Sequence, residues 1–174
     1  MKRDSTPSRP GPDAMKGLVP VCGDDPRVLI LGSFPSVLSL TNTMYYGNPQ
    51  NQFWRIMGDL FSIDPTLPYP QRIDRLIHHR IALWDVICSC SREGSADIRI
   101  RKPVFNDIAG FLATHPGITF VALNGSTAAR YFRMACPTTP TAETIVLPST
   151  SPAHARMRYE EKREKWRIVQ ERVR

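Results

Sequence analysis

Four short runs of apolar residues alternate along the chain with segments whose apolar residues have helical spacing. The runs cover residues 27–31, 81–87, 119–123 and 143–147. Runs this short and this apolar are typical of strands buried on both faces, and strands separated by helices usually pair in parallel. The sequence therefore predicts an α/β fold with a central, mostly parallel four-stranded sheet and helices on both of its faces.

Periodic and polar segments between these runs define the remaining elements. A last helix follows the loop 148–152, and it should dock on the core because Trp166, Val169 and Val173 fall on one stripe. The other predicted helices span residues 53–61, 71–79, 104–114 and 126–134, and polar loops span residues 33–52, 62–70 and 92–102.

The N-terminal segment differs in composition from the rest of the chain. Residues 1–20 are rich in Pro, Ser and charged side chains, which predicts a flexible leader. Residues 21–174 show no repeat and have the length of a single domain. No apolar run is long enough to span a bilayer and the leader does not resemble a secretory signal, so a cytoplasmic protein without membrane association is expected.

Basic residues and cysteines limit the partners and cofactors to consider. The chain has 23 Lys and Arg against 16 Asp and Glu, a net charge of +7. Such an excess favours polyanions, which include nucleic acid, acidic membranes and acidic proteins. The four cysteines lack C-x-x-C spacing, so buried free thiols are preferred to a metal or iron–sulfur site.

Polar residues stand at or after the end of each predicted strand. They are Gly32–Ser36, Asp85, Asn124–Gly125 and Pro148–Ala155. In parallel sheets covered by helices, ligands bind beyond the carboxyl ends of the strands. We therefore expect these four segments to converge on one crevice.

The segment Tyr45–Trp54 concentrates aromatic rings and side-chain amides. Rings offer a stacking surface and amides offer donors and acceptors, which suits a nucleobase with its π-face and polar edge. Phe53 and Trp54 are better explained as core residues, whereas Tyr45, Tyr46 and the amides are either ligand-binding groups or turn formers.

Two other segments have an ordinary structural explanation beside the functional one. Gly32–Ser36 either lets backbone approach a ligand or forms a plain strand-to-loop turn. Asp85, at the end of a buried strand, either reads the N–H edge of a base or caps a helix or pairs with an arginine.

The segment Leu147–Ala155 is a stiff loop with three hydroxyls between prolines. It can grip phosphates together with Arg156 and Arg158, or cap the last helix, or do both. His154 is a candidate catalytic residue, although a single histidine is more often structural.

These segments, in this order, resemble the uracil-DNA glycosylase superfamily, in particular its hypoxanthine-DNA glycosylase branch, also called family 6. The resemblance covers roughly residues 27–172. Its first motif, Gly32–Ser36 followed by Tyr45–Trp54, and its last motif, Leu147–Ala155, are specific in combination. The similar segments are GSFPS (Gly32–Ser36), YYGNPQNQFW (Tyr45–Trp54), ALWDVICSCSREGSAD (Ala82–Asp97), ALNGSTAARYF (Ala122–Phe132) and LPSTSPAHA (Leu147–Ala155).

The resemblance implies a three-layer α/β/α fold, no cofactor, and a monofunctional DNA glycosylase that hydrolyses the N-glycosidic bond of deaminated bases in base-excision repair. Hypoxanthine, uracil or both are the expected substrates. The implied partner is double-stranded DNA containing such a base, with single-stranded DNA as an alternative, bound by a monomer. Other branches hold an iron–sulfur cluster through four cysteines, whose spacing this chain does not match.

Position by position, the resemblance also implies roles. Superfamily relatives often carry Asp or Asn where this chain has Phe34, so an asparagine farther along, Asn48 or Asn51, is expected to position the water. Asn124 matches a second functional asparagine, and Leu147 stands where relatives often carry His. Expected base-binding residues are Gly32, Ser33, Phe34, Tyr46, which stacks on the base, and Asp85. Expected DNA-binding residues are Ser36, Ser149, Thr150, Ser151, Pro152, His154 and Arg156.

Two rival functions remain open from the sequence. Phe34, where a polar group is usual, is compatible with a non-catalytic lesion-binding domain on the same scaffold. A small-molecule hydrolase that uses Ser149 or Ser151 with His154 is a third possibility, although the chain lacks the G-x-S-x-G nucleophile elbow.

Overall fold

The computed structural model describes residues 14–138 and 141–174. Its helices are α1 (Val37–Asn42), α2 (Phe53–Phe61), α3 (Tyr69–His78), α4 (Ile108–Thr114), α5 (Ser126–Ala135) and α6 (Tyr159–Arg172). Its strands are β1 (Met15–Lys16), β2 (Val28–Gly32), β3 (Ile81–Asp85), β4 (Ile87–Ser91), β5 (Arg101–Phe105), β6 (Phe120–Asn124) and β7 (Glu143–Leu147), and a 3-10 turn spans Asp97–Arg99.

The predicted parallel sheet is confirmed, with the strand order β3-β2-β6-β7 and parallel pairing throughout. Gly32 lies beside Asp85 in register, and Asn124 lies beside Leu147. The carboxyl ends of the four strands therefore meet at one edge, as the topology predicts.

Helices cover both faces of this sheet. Val28 and Ile30 of β2 pack with α2, α3 and α6, whereas Leu29 and Leu31 pack with α4 and α5. The period of two along the strand separates the two cores. Trp166 is fully buried in α6, which confirms that the last helix docks on the core. The result is the predicted α/β/α arrangement.

A second, three-stranded sheet was not predicted. It is antiparallel in the order β1-β4-β5. The predicted strand 81–87 is in fact two strands, because the amides of Val86 and Ile87 donate to the carbonyls of Gly32 and Ser33 and turn the chain across the end of β2. After this turn, β4 belongs to the other sheet.

The predicted helix 104–114 is wrong in its first part. Residues up to Phe105 form β5 on the edge of β4, where the missing N–H of Pro103 is tolerated. The helix starts at Ile108, because the Asp107 carboxylate accepts a hydrogen bond from the Gly110 amide (2.9 Å) and caps it. The predicted loop 92–102 likewise contains the 3-10 turn and the start of β5.

The predicted loop 33–52 contains helix α1. Ser36 caps it by accepting a hydrogen bond from the Ser39 amide, and Thr43 ends it in the left-handed conformation. A six-residue helix leaves little periodicity in the sequence to detect.

The end of the segment predicted as a flexible leader and the residue that follows it pair with strands of both sheets. Met15 and Lys16 pair with Cys90 and Ser89, and Val21 pairs with Leu83, so backbone pairing fixes this segment. Residues 1–13 lie outside the described part of the chain. No helix in that described part is both long and apolar enough to cross a membrane.

Candidate active site

A cavity of roughly 700 Å³ opens at the carboxyl ends of β2, β3, β6 and β7. Every predicted site residue lines it except Pro152 and Arg156, which are exposed outside it. The expected convergence of the four polar segments is therefore confirmed. The cavity is also lined by residues that the sequence did not single out, among them Ser39, Ser95, Asp97, Ile98 and Lys165.

Asp85 lies at the inner end of this cavity and is only 5% exposed. A side chain on the neighbouring Gly32 would collide with its carboxylate, so the glycine leaves the space that Asp85 occupies. Its Oδ2 atom is buried and has no hydrogen-bond partner among the described residues. Burial first, then the negative charge of Asp97, raise the pKa of Asp85 to about 7, and Arg92 partly offsets them. Such a carboxyl group is available to a bound ligand.

A cluster of charged groups, in which Arg92 is buried and Asp97 is half-buried, joins two segments of the cavity wall. The fully buried Arg92 side chain lies 3.8 Å from the Asp97 carboxylate and donates to the Pro35 carbonyl. The Ser33 hydroxyl donates to the other oxygen of Asp97 at 2.7 Å. Burial raises the pKa of Asp97, and the hydrogen bond from Ser33 counteracts it. The cluster fixes the first motif against the segment after β4.

Phe34 presents hydrocarbon where relatives often keep a polar group. It is 6% exposed, belongs to one of the two cores, and its ring lies 5.0 Å from the Arg92 guanidinium. A phenyl ring has no hydrogen-bonding group that positions a water molecule.

Tyr46 is held by contacts on its ring and on its hydroxyl. The ring stacks on Phe53, with centroids 3.9 Å apart, and the hydroxyl accepts a hydrogen bond from Asn124 at 3.1 Å. Asn124 also donates to the Thr150 hydroxyl and accepts from the Thr150 amide, both at 2.9 Å. Asn124 thereby ties β6 to the first motif and to the last loop.

Thr150 is fully buried, and its hydroxyl and its amide are both bonded to Asn124. These contacts shape the last loop. Direct contact of Thr150 with DNA stays a prediction. Its neighbours Ser149 and Ser151 are half-buried.

Asn48 and Asn51 make similar turns at the cavity wall. The side-chain oxygen of Asn48 accepts from the Gln50 amide at 2.9 Å, in an exposed contact. That of Asn51 accepts from the Phe53 amide at 3.0 Å, at the start of α2. Both asparagines line the cavity, so both stay candidates for the water-positioning role.

Helix α6 holds the last loop in place. Lys162 is 1% exposed, and its ammonium group donates to the Gln52 side chain at 2.7 Å and to the His154 carbonyl at 3.3 Å. The Trp166 indole donates to the Pro148 carbonyl at 2.9 Å. Burial lowers the pKa of Lys162. One buried lysine therefore connects the first motif to the last loop.

The serines of the last loop make local hydrogen bonds. The Ser149 hydroxyl oxygen accepts from the Ser151 amide at 3.2 Å, and that of Ser151 accepts from the Ala153 amide at 3.3 Å. The Nδ1 atom of His154 is buried without a partner among the described residues. The geometry thus gives no support to a serine–histidine hydrolase.

Cysteines and acidic residues show no metal-binding arrangement in residues 14–138 and 141–174. No group of three or more His, Cys, Asp or Glu side chains there is placed to hold a metal ion. All four cysteines are free thiols, and Cys90 and Cys136 are buried.

Comparison with known proteins identifies the family. Residues 19–171 match the model of the Uracil DNA glycosylase superfamily. The chain belongs to this superfamily. It is 37% identical over 142 residues to a hypoxanthine DNA glycosylase of Methanosarcina acetivorans, covering 81% of this chain and 89% of the relative. It is 33% identical over 117 residues to a hypoxanthine DNA glycosylase of Methanosarcina barkeri, covering 67% and 74%.

A solved structure agrees with the fold of this superfamily member. The solution NMR structure of a Methanosarcina acetivorans protein, provisionally named a uracil DNA glycosylase, superposes with a TM-score of 0.80 at 34% identity. The similarity covers 92% of this chain and 98% of that one. The expected family and the three-layer fold are both confirmed.

The sequence analysis did not identify three charged residues that contribute to the site of this superfamily member. Arg92 and Asp97 stand in a polar segment where charged residues are normally exposed, and Lys162 stands in a helix rich in exposed lysine and arginine. The one available signal was that Lys162 lies four residues before Trp166, on the same stripe of the helix.

Proposed function

We propose that this member of the superfamily is a monofunctional DNA glycosylase that removes deaminated bases, hypoxanthine and uracil being the candidates, in base-excision repair. The family match and the two relatives named hypoxanthine DNA glycosylase support the proposal. The observation that carries it is the meeting of Tyr46, Asp85 and Asn124 in one cavity of roughly 700 Å³, which combines an aromatic ring with groups that bind a polar edge.

Asp85 is suited to read the group that deamination creates. Deamination replaces an amino group by a carbonyl next to a ring N–H, in hypoxanthine as in uracil. A protonated carboxyl donates one hydrogen bond to such a carbonyl and accepts another from the N–H. The raised pKa and the unpartnered Oδ2 of Asp85 fit this role. We assign Tyr46 to stacking, with the base on the ring face opposite Phe53, and Gly32 and Ser33 to the adjacent wall.

Hydrolysis requires a water molecule aimed at C1′ of the flipped nucleotide. The water oxygen bonds to C1′, the C1′–N bond breaks, and its electron pair leaves with the base. An asparagine amide does not accept protons near neutrality, so Asn48 or Asn51 acts by orienting this water. The proton that the water loses ends on the leaving base or in solvent.

Asn124 serves as a positioning residue in this proposal. Its oxygen and nitrogen already bond to Thr150 and Tyr46 in the free protein. Holding the stacking ring and the last loop is therefore a better assignment than direct stabilisation of the leaving base.

We assign the contacts with the DNA backbone to residues at the rim of the cavity. Ser36, Ser149, Ser151 and His154 line it, and Pro152 and Arg156 lie exposed beside it. We propose that these groups hold a duplex through its phosphates and that the protein acts as a monomer. Arg158, exposed nearby, adds to the positive charge.

Strand cleavage is not part of this function. Lys162 is buried and hydrogen-bonded, and Lys165 is the one lysine that lines the cavity in the described part of the chain. A Schiff base would require an amine at C1′. Borohydride added during turnover should trap no covalent complex, and a trapped complex that disappears in Lys165→Ala would contradict the monofunctional assignment.

A panel of substrates tests the proposal. Duplexes with hypoxanthine or uracil opposite each normal base, and matched single strands, are incubated with the protein, and free base is measured. Release of at least one of the two bases, with the strand intact until alkali is added, is expected. Release of neither by folded protein would refute it.

The buried phenyl group of Phe34 is also compatible with one alternative function, that of a non-catalytic lesion-binding domain. That function predicts tight, lesion-selective binding without base release. It also predicts that binding is unchanged in a double variant Asn48→Ala with Asn51→Ala.

A further inference from the structure

The 3-10 turn Asp97–Arg99 presents an exposed apolar side chain at the mouth of the cavity. Ile98 is 83% exposed, and it also lines the cavity. A single exposed aliphatic residue is ordinary on protein surfaces and by itself indicates nothing. Ile98 differs from such residues because it lies at the cavity and because the turn that carries it is held by contacts on both sides.

The turn that carries Ile98 is fixed on both sides. Before it, Asp97 bonds to Ser33 and pairs with Arg92. After it, Ile100 is 6% exposed in the core. The Arg101 guanidinium donates to the Ile98 carbonyl at 2.9 Å. The Ile98 side chain therefore projects from a rigid support.

The surroundings of Ile98 favour a polyanion as the partner. Arg99, Arg101 and Lys102 follow it and are exposed, whereas Glu93 is the exposed acid of the same segment. Cations flanking an apolar tip are complementary to a nucleic acid, whose phosphates surround apolar base faces.

Helix α1 adds apolar surface to the same rim. The Val37 amide donates to the Ser95 hydroxyl at 2.9 Å, which joins the start of α1 to the segment before the turn. Val37 and Leu38 are 42% and 45% exposed. The last loop also lines the cavity, and Arg156 and Arg158 follow it and are exposed.

We propose that Ile98 is a wedge that enters the base stack of duplex DNA and fills the space left by the flipped nucleotide. The inference rests on the proposed glycosylase function, because a base that enters the cavity leaves a gap opposite its mouth. Apolar side chains that fill such gaps offset the lost stacking. A lesion in a single strand leaves no such gap, so the wedge is needed for duplex substrates alone.

Base release from duplex and single-stranded DNA of one sequence tests the wedge. The proteins are wild type, Ile98→Ala, Ile98→Leu, and Val19→Ala, whose side chain is 80% exposed and lies outside the cavity lining. Under single-turnover conditions, Ile98→Ala should release hypoxanthine from the duplex about tenfold or more slowly and from the single strand within about twofold of wild type. Ile98→Leu and Val19→Ala should behave as wild type on both.

An equal loss on both substrates, or no loss on the duplex, would overturn the wedge. The fluorescence of 2-aminopurine beside the lesion provides a second readout, since it rises when the stack opens. Wild type should raise it and Ile98→Ala should not. If wild type released no base from any substrate, the glycosylase proposal would fail, and the fluorescence alone would decide whether Ile98 opens the stack.

Discussion

At the scale of single residues, the protonation of Asp85 depends on groups from several elements. The end of β3 buries it, Asp97 faces it with a negative charge, and Arg92 opposes both. Arg92 is itself engaged with Asp97 and the Pro35 carbonyl, so its charge is shared. The hydroxyl of Tyr46 also lies near, and the charge of Asp85 contributes to the raised pKa of Tyr46. These contacts favour a neutral Asp85 in the free protein up to a pH of about 7.

The pH dependence of base release follows from this neutral form. We expect kcat/KM for hypoxanthine to fall as the pH rises above about 7, since an ionised Asp85 repels the base carbonyl. Asp85→Asn donates and accepts at every pH, so its rate should vary by less than about threefold between about pH 6 and about pH 9. A matching fall in wild type and variant would assign the titration to another group.

The same substitution makes a prediction about stability. The folded protein binds the Asp85 proton more tightly than the unfolded chain does, because folding raises this pKa to about 7. The wild type therefore loses stability as the pH rises from about 4 to about 7, and Asp85→Asn does not lose this contribution. In urea unfolding the variant should be more stable by up to about 4 kcal/mol at about pH 8 and by less than about 1 kcal/mol at about pH 4. An equal difference at both pH values would contradict the raised pKa.

Alanine substitutions of the two asparagines of the first motif should differ in their effects on stability and on the rate of base release. The Asn51 side chain accepts a hydrogen bond from the first amide of α2, so Asn51→Ala should lower the free energy of unfolding by about 1 kcal/mol. The contact of Asn48 is exposed and is more easily exchanged for water, so Asn48→Ala should cost less than about 0.5 kcal/mol. We expect Asn48→Ala to lose more kcat, with KM nearly unchanged. The reverse order in single-turnover assays would assign the water to Asn51.

At the scale of elements, α6 positions the last loop through Lys162. Lys162→Met removes the donor shared by Gln52 and the His154 carbonyl while keeping a similar volume. Base release from a duplex should fall about tenfold or more, because a misplaced loop changes the geometry of the bound DNA. Arg167→Met, on the exposed side of the same helix, is the matched control. Equal activity of the two variants, both folded by near-ultraviolet circular dichroism, would show that Lys162 is not needed to position the loop.

The elements that the sequence predicted are those with strong periodicity. β2, β6 and β7 are continuous short runs, α2 has a clear apolar stripe, and α6 carries Trp166, Val169 and Val173 on one face. β4 and β5 were not recognised, because the cysteines and serines of β4 carry little strand signal and Pro103 with basic neighbours reads as a loop. Their pairing depends on tertiary contacts, such as the turn of Val86 across the end of β2.

The site was predictable to the extent that topology decides it. Residues that end parallel strands, such as Asp85 and Asn124, meet at one edge whatever their side chains do. The contacts of Arg92, Asp97 and Lys162 depend on which side chains become buried. Their sequence neighbours do not distinguish such residues from charged residues at the surface.

At the scale of the whole molecule, the net charge of +7 predicts salt-sensitive binding to DNA. If Arg99 and Lys102 bind phosphates beside the proposed wedge, changing both to Gln should reduce the slope of log K against log salt by about 0.9 for each phosphate that is no longer neutralised. Arg133→Gln is the control. Arg133 lies in the last turn of α5, and the residues of α5 that line the cavity are at the opposite end of this helix. A slope equal to that of the control would exclude phosphate binding at the turn.

Release of free base from a duplex that contains a single hypoxanthine is the most direct test of glycosylase activity. The protein is first shown to be folded by cooperative urea unfolding, and free hypoxanthine and the DNA strand are then quantified by mass spectrometry. We predict one free hypoxanthine for each abasic strand, with the phosphodiester backbone intact. Folded protein that binds this duplex and releases neither hypoxanthine from it nor uracil from the matched substrate would contradict the proposed function.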